Sequence, residues 1–413
     1  MVRTTRRSLG IALAALLLTG STGCTPKWTG THRLTILFDD RRALADRPVQ
    51  LVVAGLSSGQ AVTVTAEAED QAGIGWRSTA VYLADGRGEV HLEGDAPIRG
   101  SYHHADGMGL FWSMLPTNGS ANTVFSPPPP AADDAAALPV RITAVADDGV
   151  TGEFTVLRRW TADGVTRTEL NPATDHVAGT LYLPPAGTPA KSPVLLLGGS
   201  EGGNSGVAAA ALLASHGHPA LAVAYFGLPG LPDTLQNIPV EYAVGAARLL
   251  AERTGSRDIT VEGNSRGSEL ALLVAGQLPD LVRRVMVYAP SAEVNAGLPD
   301  GAAWTLNGAP VPVGPIALDR TPASILAVAG ERDRLWPSPR WALQLGTPTA
   351  AAPNRQAVLH AGAGHAVAGI PYLPTGSTVA PVVGSPIDLG GDAAANQAAH
   401  MQAWSNFLAF LDS

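Results

Sequence analysis

The chain has 413 residues, 46% of them hydrophobic and 15% charged, with a formal net charge of -8. It is too apolar to be disordered and longer than one typical domain, so two domains are expected. Lys and Arg form no run beyond the first few residues, which argues against nucleic acid as a partner.

Residues 1–24 differ from everything after them. Arg3, Arg6 and Arg7 give a basic start, Leu9 to Leu18 is a short apolar run, and Gly20, Ser21, Thr22 and Gly23 lead into Cys24. This reads as a secretory signal, too short to span a bilayer as a stable helix. Cys24 is the only cysteine, so no intramolecular disulfide can form. The small residues before it resemble a bacterial lipoprotein signal, although Ser21 stands where such signals usually carry Leu. Lipidation of Cys24 is therefore one expectation and plain signal cleavage nearby the other. The first implies a lipid anchor at the cell membrane, on the side away from the cytoplasm.

From Leu34 to Ile142 the pattern is short and strand-like, with runs at Leu34 to Phe38, Val49 to Val53, Val62 to Ala66 and Thr79 to Tyr82. Gly55, Ser57, Gly59, Gly73, Asp85 and Gly86 punctuate them, as in an all-β sandwich. Pro127 to Pro130 marks an exposed loop or linker. Strand patterns resume at Val140 to Val145 and Glu153 to Trp160, so the sandwich is expected over 25–170 and a second domain over 171–413.

Beyond residue 170 apolar strands alternate with Ala- and Leu-rich helices. Strands are expected at Val194 to Leu197, Pro219 to Ala224, Ile259 to Val261, Val285 to Tyr288, Ile325 to Ala329 and Ala357 to His360. Helices are expected at Val207 to Ala214, Val240 to Arg253, Ser268 to Gln277 and Ala394 to Leu411. Such alternation specifies an α/β fold, with a mainly parallel sheet covered on both faces.

Gly263, Asn264, Ser265, Arg266 and Gly267 spell GxSxG between a strand pattern and a helix pattern. A nucleophile elbow turns too sharply for neighbouring side chains and lifts its central hydroxyl to the sheet's carboxyl edge, where open α/β folds bind ligands. A serine hydroxyl needs a base, and His365 sits in a small-residue loop after the last strand. His360 competes from inside the strand pattern, and His103, His104, His216 and His218 read as surface or capping residues. The imidazole needs a carboxylate; Asp333 follows the strand Ile325 to Ala329, with Glu331 as the runner-up. The order Ser265, Asp333, His365 is the order of this fold. For the oxyanion, the backbone N–H of Arg266 is one candidate donor, and Ser200 and Glu201 in the loop Gly198 to Gly203 supply the second. That loop lacks the Gly-Lys-Ser/Thr ending of a phosphate-binding loop, and no Cys and His cluster suggests a metal, so no cofactor is expected.

These residues carry a likeness that spans nearly all of the mature length. In the first half it rests on Gly55 and Leu56, on Trp76, Ser78 and Ala80, and on the run from Met108 to Met114. In the second it rests on Gly198 to Gly203, Tyr225 to Pro232, Ile238 to Tyr242, Gly263 to Glu269, Asp333 to Ser338, Gly364 with His365, and Pro371 with Tyr372. The chain resembles the family of acyl-CoA thioesterases and bile acid-CoA:amino acid N-acyltransferases. The resemblance implies an N-terminal immunoglobulin-like sandwich before a C-terminal α/β-hydrolase domain. It also implies a fatty acyl-CoA hydrolase with nucleophile, acid and base at Ser265, Asp333 and His365. In the amino-acid conjugating branch the nucleophile is Cys, whereas Ser265 favours water as acceptor. Trp112 and Trp336 read as core aromatics. An exported enzyme would meet little acyl-CoA, so an oxygen-ester hydrolase and a silent, lipid-anchored binding protein stand as alternatives.

Overall fold

The computed structural model describes residues 33–40, 42–119, 123–130, 137–189, 191–318, 321–375, 378–382 and 385–413; the expected signal segment and Cys24 lie outside them. Alternating burial along the early strands dictates a sandwich. In Ala61–Glu69 every second side chain from Val62 to Ala66 is buried, and Ala137–Ala146 repeats the pattern. Strands β1 (Thr35–Phe38), β2 (Leu51–Ala54), β3 (Ala61–Glu69), β4 (Gly75–Leu83), β5 (Glu89–His91), β6 (Ala137–Ala146) and β7 (Thr151–Arg159) form two antiparallel sheets. One has the order β1-β2-β5, and in the other β4, β3, β6 and β7 lie side by side. Both sheets contribute to one core, through Leu51, Val53 and Val90 from the first and Val64, Trp76 and Ile142 from the second.

The Met108 to Met114 run folds into a buried helical turn, Gly109–Trp112, with no room at Gly109 for a Cβ, which would meet the Tyr102 ring at 2.2 Å. Trp112 is a core aromatic, as expected, and its indole N–H donates to Asp106 Oδ2 at 2.7 Å. Its carbonyl accepts the amide of Thr375 at 2.9 Å, so the sandwich touches the chain ten residues beyond His365.

The second sheet has eight strands: β8 (Thr166–Leu170), β9 (Ala178–Leu183), β10 (Val194–Leu197), β11 (Ala220–Ala224), β12 (Ile259–Asn264), β13 (Val282–Tyr288), β14 (Ser324–Gly330) and β15 (Arg355–His360). Their order is β8-β9-β11-β10-β12-β13-β14-β15, antiparallel at β8-β9 and β9-β11 and parallel from β11 onward. This is an α/β-hydrolase sheet. Its first strand, Thr166–Leu170, lies before the boundary placed at residue 170, because its polar, mostly exposed side chains carry no core signature in sequence. Helices α1 (Val207–Ser215) and α5 (Ala393–Leu411) cover one face, and α2 (Val240–Thr254), α3 (Arg266–Gln277) and α4 (Ser338–Leu345) the other. Helix α4 is the one the sequence reading passed over; two of its eight residues are Pro339 and Arg340, and only four are buried. Among the described residues no helix is long and apolar enough to cross a membrane.

The α1 and α5 face shares a single continuous core with the sandwich, the far face having a core of its own. Polar ties cross the same junction. Asp46 Oδ2, deeply buried, accepts the Trp404 indole N–H at 2.9 Å and lies 2.6 Å from His216 Nε2. On the same face of the sheet Glu262 stands between Leu196 and Met286, and burial, reinforced by the Glu201 carboxylate, pushes its carboxyl up to about 8. A carboxyl raised on folding binds a proton that the unfolded chain has released, so its contribution to stability declines from about pH 4.5 to about pH 8. Glu262→Gln is expected to remove up to about 1.4 kcal/mol per pH unit of that decline. Urea unfolding at pH 5, 7 and 8.5 checks it; parallel curves for the two proteins would contradict the assignment.

Candidate active site

The elbow explains its own sequence. Ser265 has φ 51° and ψ -118°, a conformation non-glycine residues adopt only under constraint. A Cβ on Gly263 would lie 2.4 Å from the carbonyl oxygen of Gly267, and one on Gly267 would lie 2.3 Å from those of Leu197 and Gly198. The turn thus closes only with glycine on both sides of the serine. Ser268 locks it from behind: its hydroxyl donates to the Ser265 carbonyl at 2.6 Å and accepts the Ser291 amide at 3.0 Å.

Asp333 emerges from β14 through a tight turn in which its amide donates to the Gly330 carbonyl at 3.1 Å. Its Oδ1 accepts the amides of Leu335 and Trp336 at 2.8 and 3.2 Å. Oδ2 lies 2.8 Å from His365 Nδ1 and also accepts the Ser338 hydroxyl. His365 is held by its amide, which donates to the Leu389 carbonyl at 2.7 Å, and by the neighbouring Gly364 amide, which donates to Asn396 Oδ1 at 2.9 Å. Its Nε2 then lies 2.9 Å from Ser265 Oγ. The three residues singled out from the sequence therefore meet in one hydrogen-bonded line. With the carboxylate accepting at Nδ1, the imidazole presents a free lone pair at Nε2, which can take the serine proton.

Burial favours this arrangement. Ser265 and His365 are buried, and the Asp333 carboxylate is fully so. Trp336, expected as a core aromatic, is only half-buried; its ring meets His365 edge to face at 5.6 Å, and its N–H donates to the Ala289 carbonyl at 3.0 Å. It walls one side of the His365 imidazole.

The rival candidates lie elsewhere. Glu331 is exposed, and its amide donates to the His360 carbonyl. His360 is buried at the end of β15, where burial pushes its imidazole down. His216 pairs with Asp46, His218 Nδ1 lies 3.0 Å from the Ser192 carbonyl, and His103 and His104 are exposed on the sandwich. Among the described residues, Asp85, Glu89 and His91 gather in an exposed turn, where Asp85 Oδ1 already accepts the amides of Arg87 and Glu89.

The loop after β10 lies against Ser265: a Cβ on Gly199 would stand 3.2 Å from Ser265 Cβ. Tyr225, fully buried, supports it from beneath, its hydroxyl reaching the carbonyl oxygens of Gly198 and Gly199 at 2.6 and 3.1 Å. Ser200 is half-buried in this loop, while Glu201 is an exposed residue whose carboxylate folds back to accept the Gly199 amide at 2.9 Å and the Ser205 hydroxyl at 2.6 Å. Arg266 opens helix α3, and its guanidinium turns away from Ser265 to the carbonyls of Asn295 and Ala296 at 3.1 and 2.7 Å.

That guanidinium belongs to a network the sequence reading missed. Glu269, fully buried, pairs with Arg266 at 2.8 Å and accepts the Asn295 amide, the Asn295 side-chain amide and the Trp304 indole at 3.1, 2.9 and 2.8 Å. Burial pushes its carboxyl up, against the pull of Arg266 and these donors. The only signal in sequence was an i, i+3 Arg and Glu pair just after the elbow, which on most helices is a solvated surface pair.

The chain is similar in sequence to known proteins along most of its length. A family model for the acyl-CoA thioester hydrolase/BAAT N-terminal region matches residues 46–172, and one for the BAAT/acyl-CoA thioester hydrolase C terminal matches residues 309–413. The chain is 28% identical to acyl-coenzyme A thioesterase 1 of Homo sapiens over 411 residues, covering 91% of this chain and 95% of that protein. It is 29% identical to acyl-coenzyme A amino acid N-acyltransferase 2 of Rattus norvegicus over 418 residues, covering 91% and 97%. Among solved structures, a putative dienelactone hydrolase from Klebsiella pneumoniae superposes with a TM-score of 0.40 at 14% identity, covering 61% of this chain and 100% of that one. With one family's two models matched at either end, and an α/β-hydrolase sheet beneath them, the chain belongs to the acyl-CoA thioester hydrolase/BAAT family.

Proposed function

We propose that this protein is a serine thioesterase that hydrolyses fatty acyl-CoA or a related acyl thioester through an acyl-enzyme. The observation that carries the reading is the unbroken line from Asp333 through His365 to Ser265. Ser265 Oγ attacks the acyl carbonyl while His365 Nε2 takes its proton. The oxyanion is met by backbone N–H groups, from Arg266 on one side and from Ser200 or Glu201 on the other. His365 then gives its proton to the departing thiolate. Water, deprotonated by the same nitrogen, attacks the acyl-enzyme and releases the acid and Ser265. The likeness to acyl-coenzyme A thioesterase 1 supports a thioester as substrate. A hydroxyl at position 265, where the conjugating branch of the family has a thiol, favours water over an amine as acceptor.

A second reading, an exported hydrolase of oxygen esters, is favoured by the basic, apolar and small-residue order of residues 1–24 ending in Cys24. The two readings part on substrate, and a silent binding protein parts from both on turnover.

Ser265→Ala is expected to abolish thiol release from acyl-CoAs of eight to sixteen carbons, by a factor of at least about 10⁴ in kcat, as removal of a nucleophile does in other triads. Turnover of acyl esters but not thioesters by the wild type would support the second reading, and no Ser265-dependent turnover of either would leave only binding.

Tyr225→Phe keeps the ring and deletes the bonds beneath the Gly198 and Gly199 carbonyls. It is expected to lower kcat by about 10-fold to 100-fold, less than the loss of an oxyanion donor itself, with KM nearly constant. A rise in KM at unchanged kcat would place the loop in substrate binding instead.

Lipidation of Cys24 is tested by metabolic labelling with a radioactive fatty acid. Label that disappears in Cys24→Ala is the expected result, and label that persists would end the anchor proposal.

A further inference from the structure

Asp333 is held by more than the base it serves. Two amides, those of Leu335 and Trp336, occupy Oδ1, while His365 Nδ1 and the Ser338 hydroxyl share Oδ2. An ionised carboxylate offers about four lone-pair sites, and here each has a donor. Both the Ser338 residue and the Asp333 side chain are fully buried, so water has no ready access to replace a missing donor.

We infer that Ser338 is a positioning residue of this site: by filling the second lone pair of Asp333 Oδ2, its hydroxyl fixes the rotation of the carboxylate and so keeps Nδ1–H of His365 on the acid and Nε2 on Ser265. The inference rests on the serine-hydrolase reading and adds a fourth side chain to it. Ser338 is well placed for this task. It is the first residue of helix α4, behind Pro337, and its amide donates to the Trp336 carbonyl at 2.8 Å. Helix α4 is seated on β14 and β15 by Trp341, Ala342 and Leu345, all buried. The hydroxyl is therefore delivered from a rigid platform, and it donates along a direction the imidazole does not use. Without it, Oδ2 keeps one donor where the pocket was built for two. The two amides still hold Oδ1, but the position of Oδ2 is set less tightly, and the imidazole it holds shifts with it. The Ser338 hydroxyl is fully buried and bonded to Asp333, so its effect passes through Asp333.

The test compares wild type, Ser338→Ala and Ser338→Thr, the last retaining a hydroxyl. For Ser338→Ala the expected result is a fall in kcat of about tenfold, short of the roughly hundredfold that a displacement of 1 Å can cost. KM should stay within about twofold of wild type, as for an interaction that matters only in the transition state. Ser338→Thr is expected to recover most of the loss. A kcat for Ser338→Ala within about twofold of wild type, or a Thr variant no better than the Ala variant, would overturn the inference. A second readout needs no substrate: the low-field proton resonance of His365 Nδ1–H should shift or broaden in Ser338→Ala and persist in Ser338→Thr. An unchanged resonance in Ser338→Ala overturns the proposal even if the wild type turns over nothing, whereas a wild type without Ser265-dependent turnover counts against the functional reading alone.

Discussion

The structure turns on how closely backbones cross at the carboxyl edge of the large sheet. A Cβ on Gly330 would lie 2.2 Å from the Gly364 carbonyl oxygen, and one on Gly364 would lie 2.1 Å from that of Gly390. On Gly391 it would lie 2.3 Å from the Gly364 nitrogen. Gly267 of the elbow meets the end of β10 and the loop after it in the same way. The elbow is thus pressed against the end of β10, and the loop after β14 against the loop after β15. The 2.8 Å bond between Asp333 and His365, 32 positions apart, forms between loops whose main chains already touch, and the 2.9 Å bond from His365 to Ser265 then spans 100 positions. Side-chain chemistry here is a consequence of backbone proximity, and glycine supplies it.

Around that edge the side chains divide the work between holding and facing. Tyr225, Ser268, Ser338, Asn396 and the Glu269 network are buried and turned toward backbone or toward Asp333. They fix the positions of main chain and of Asp333. The Arg266 and Glu269 pair shows the physical condition for such a role. A buried ion pair is tolerated only where further hydrogen bonds complete it, and Asn295, Ala296 and Trp304 provide them. The network also ties the first turn of α3 to the segment from Ser291 to Trp304, so the elbow and that segment are set by one another.

The fold and the three central residues were legible because each leaves a local mark. GxSxG is a glycine constraint visible within five residues, and Asp333 and His365 follow strand patterns by a few small or polar residues. The alternation of β10 through β15 with helices stood out because β10, β11 and most of β14 are continuous apolar runs. Strand β8 did not, since an edge strand with exposed Thr166, Thr168 and Glu169 looks like loop. Helix α4 escaped for a related reason: its Pro339 and short length hide an amphipathic turn. What could not be read at all were partnerships that exist only in three dimensions, such as Ser338 with Asp333, Tyr225 with the Gly198 loop, and Trp404 with Asp46. Sequence spacing carries no trace of a contact made across 358 residues.

The shared core between sandwich and sheet has one more implication, carried by α1. Seven of its nine residues, Val207, Ala208, Ala210, Ala211, Leu212, Leu213 and Ala214, are buried, so the helix has almost no wet side. Helices that end a globule keep a polar stripe for solvent, and an all-round apolar one belongs inside. The sandwich therefore serves as the outer skin of the hydrolase half. A fragment trimmed to begin near residue 171 would be left with an oily flank, prone to adhere to its own copies.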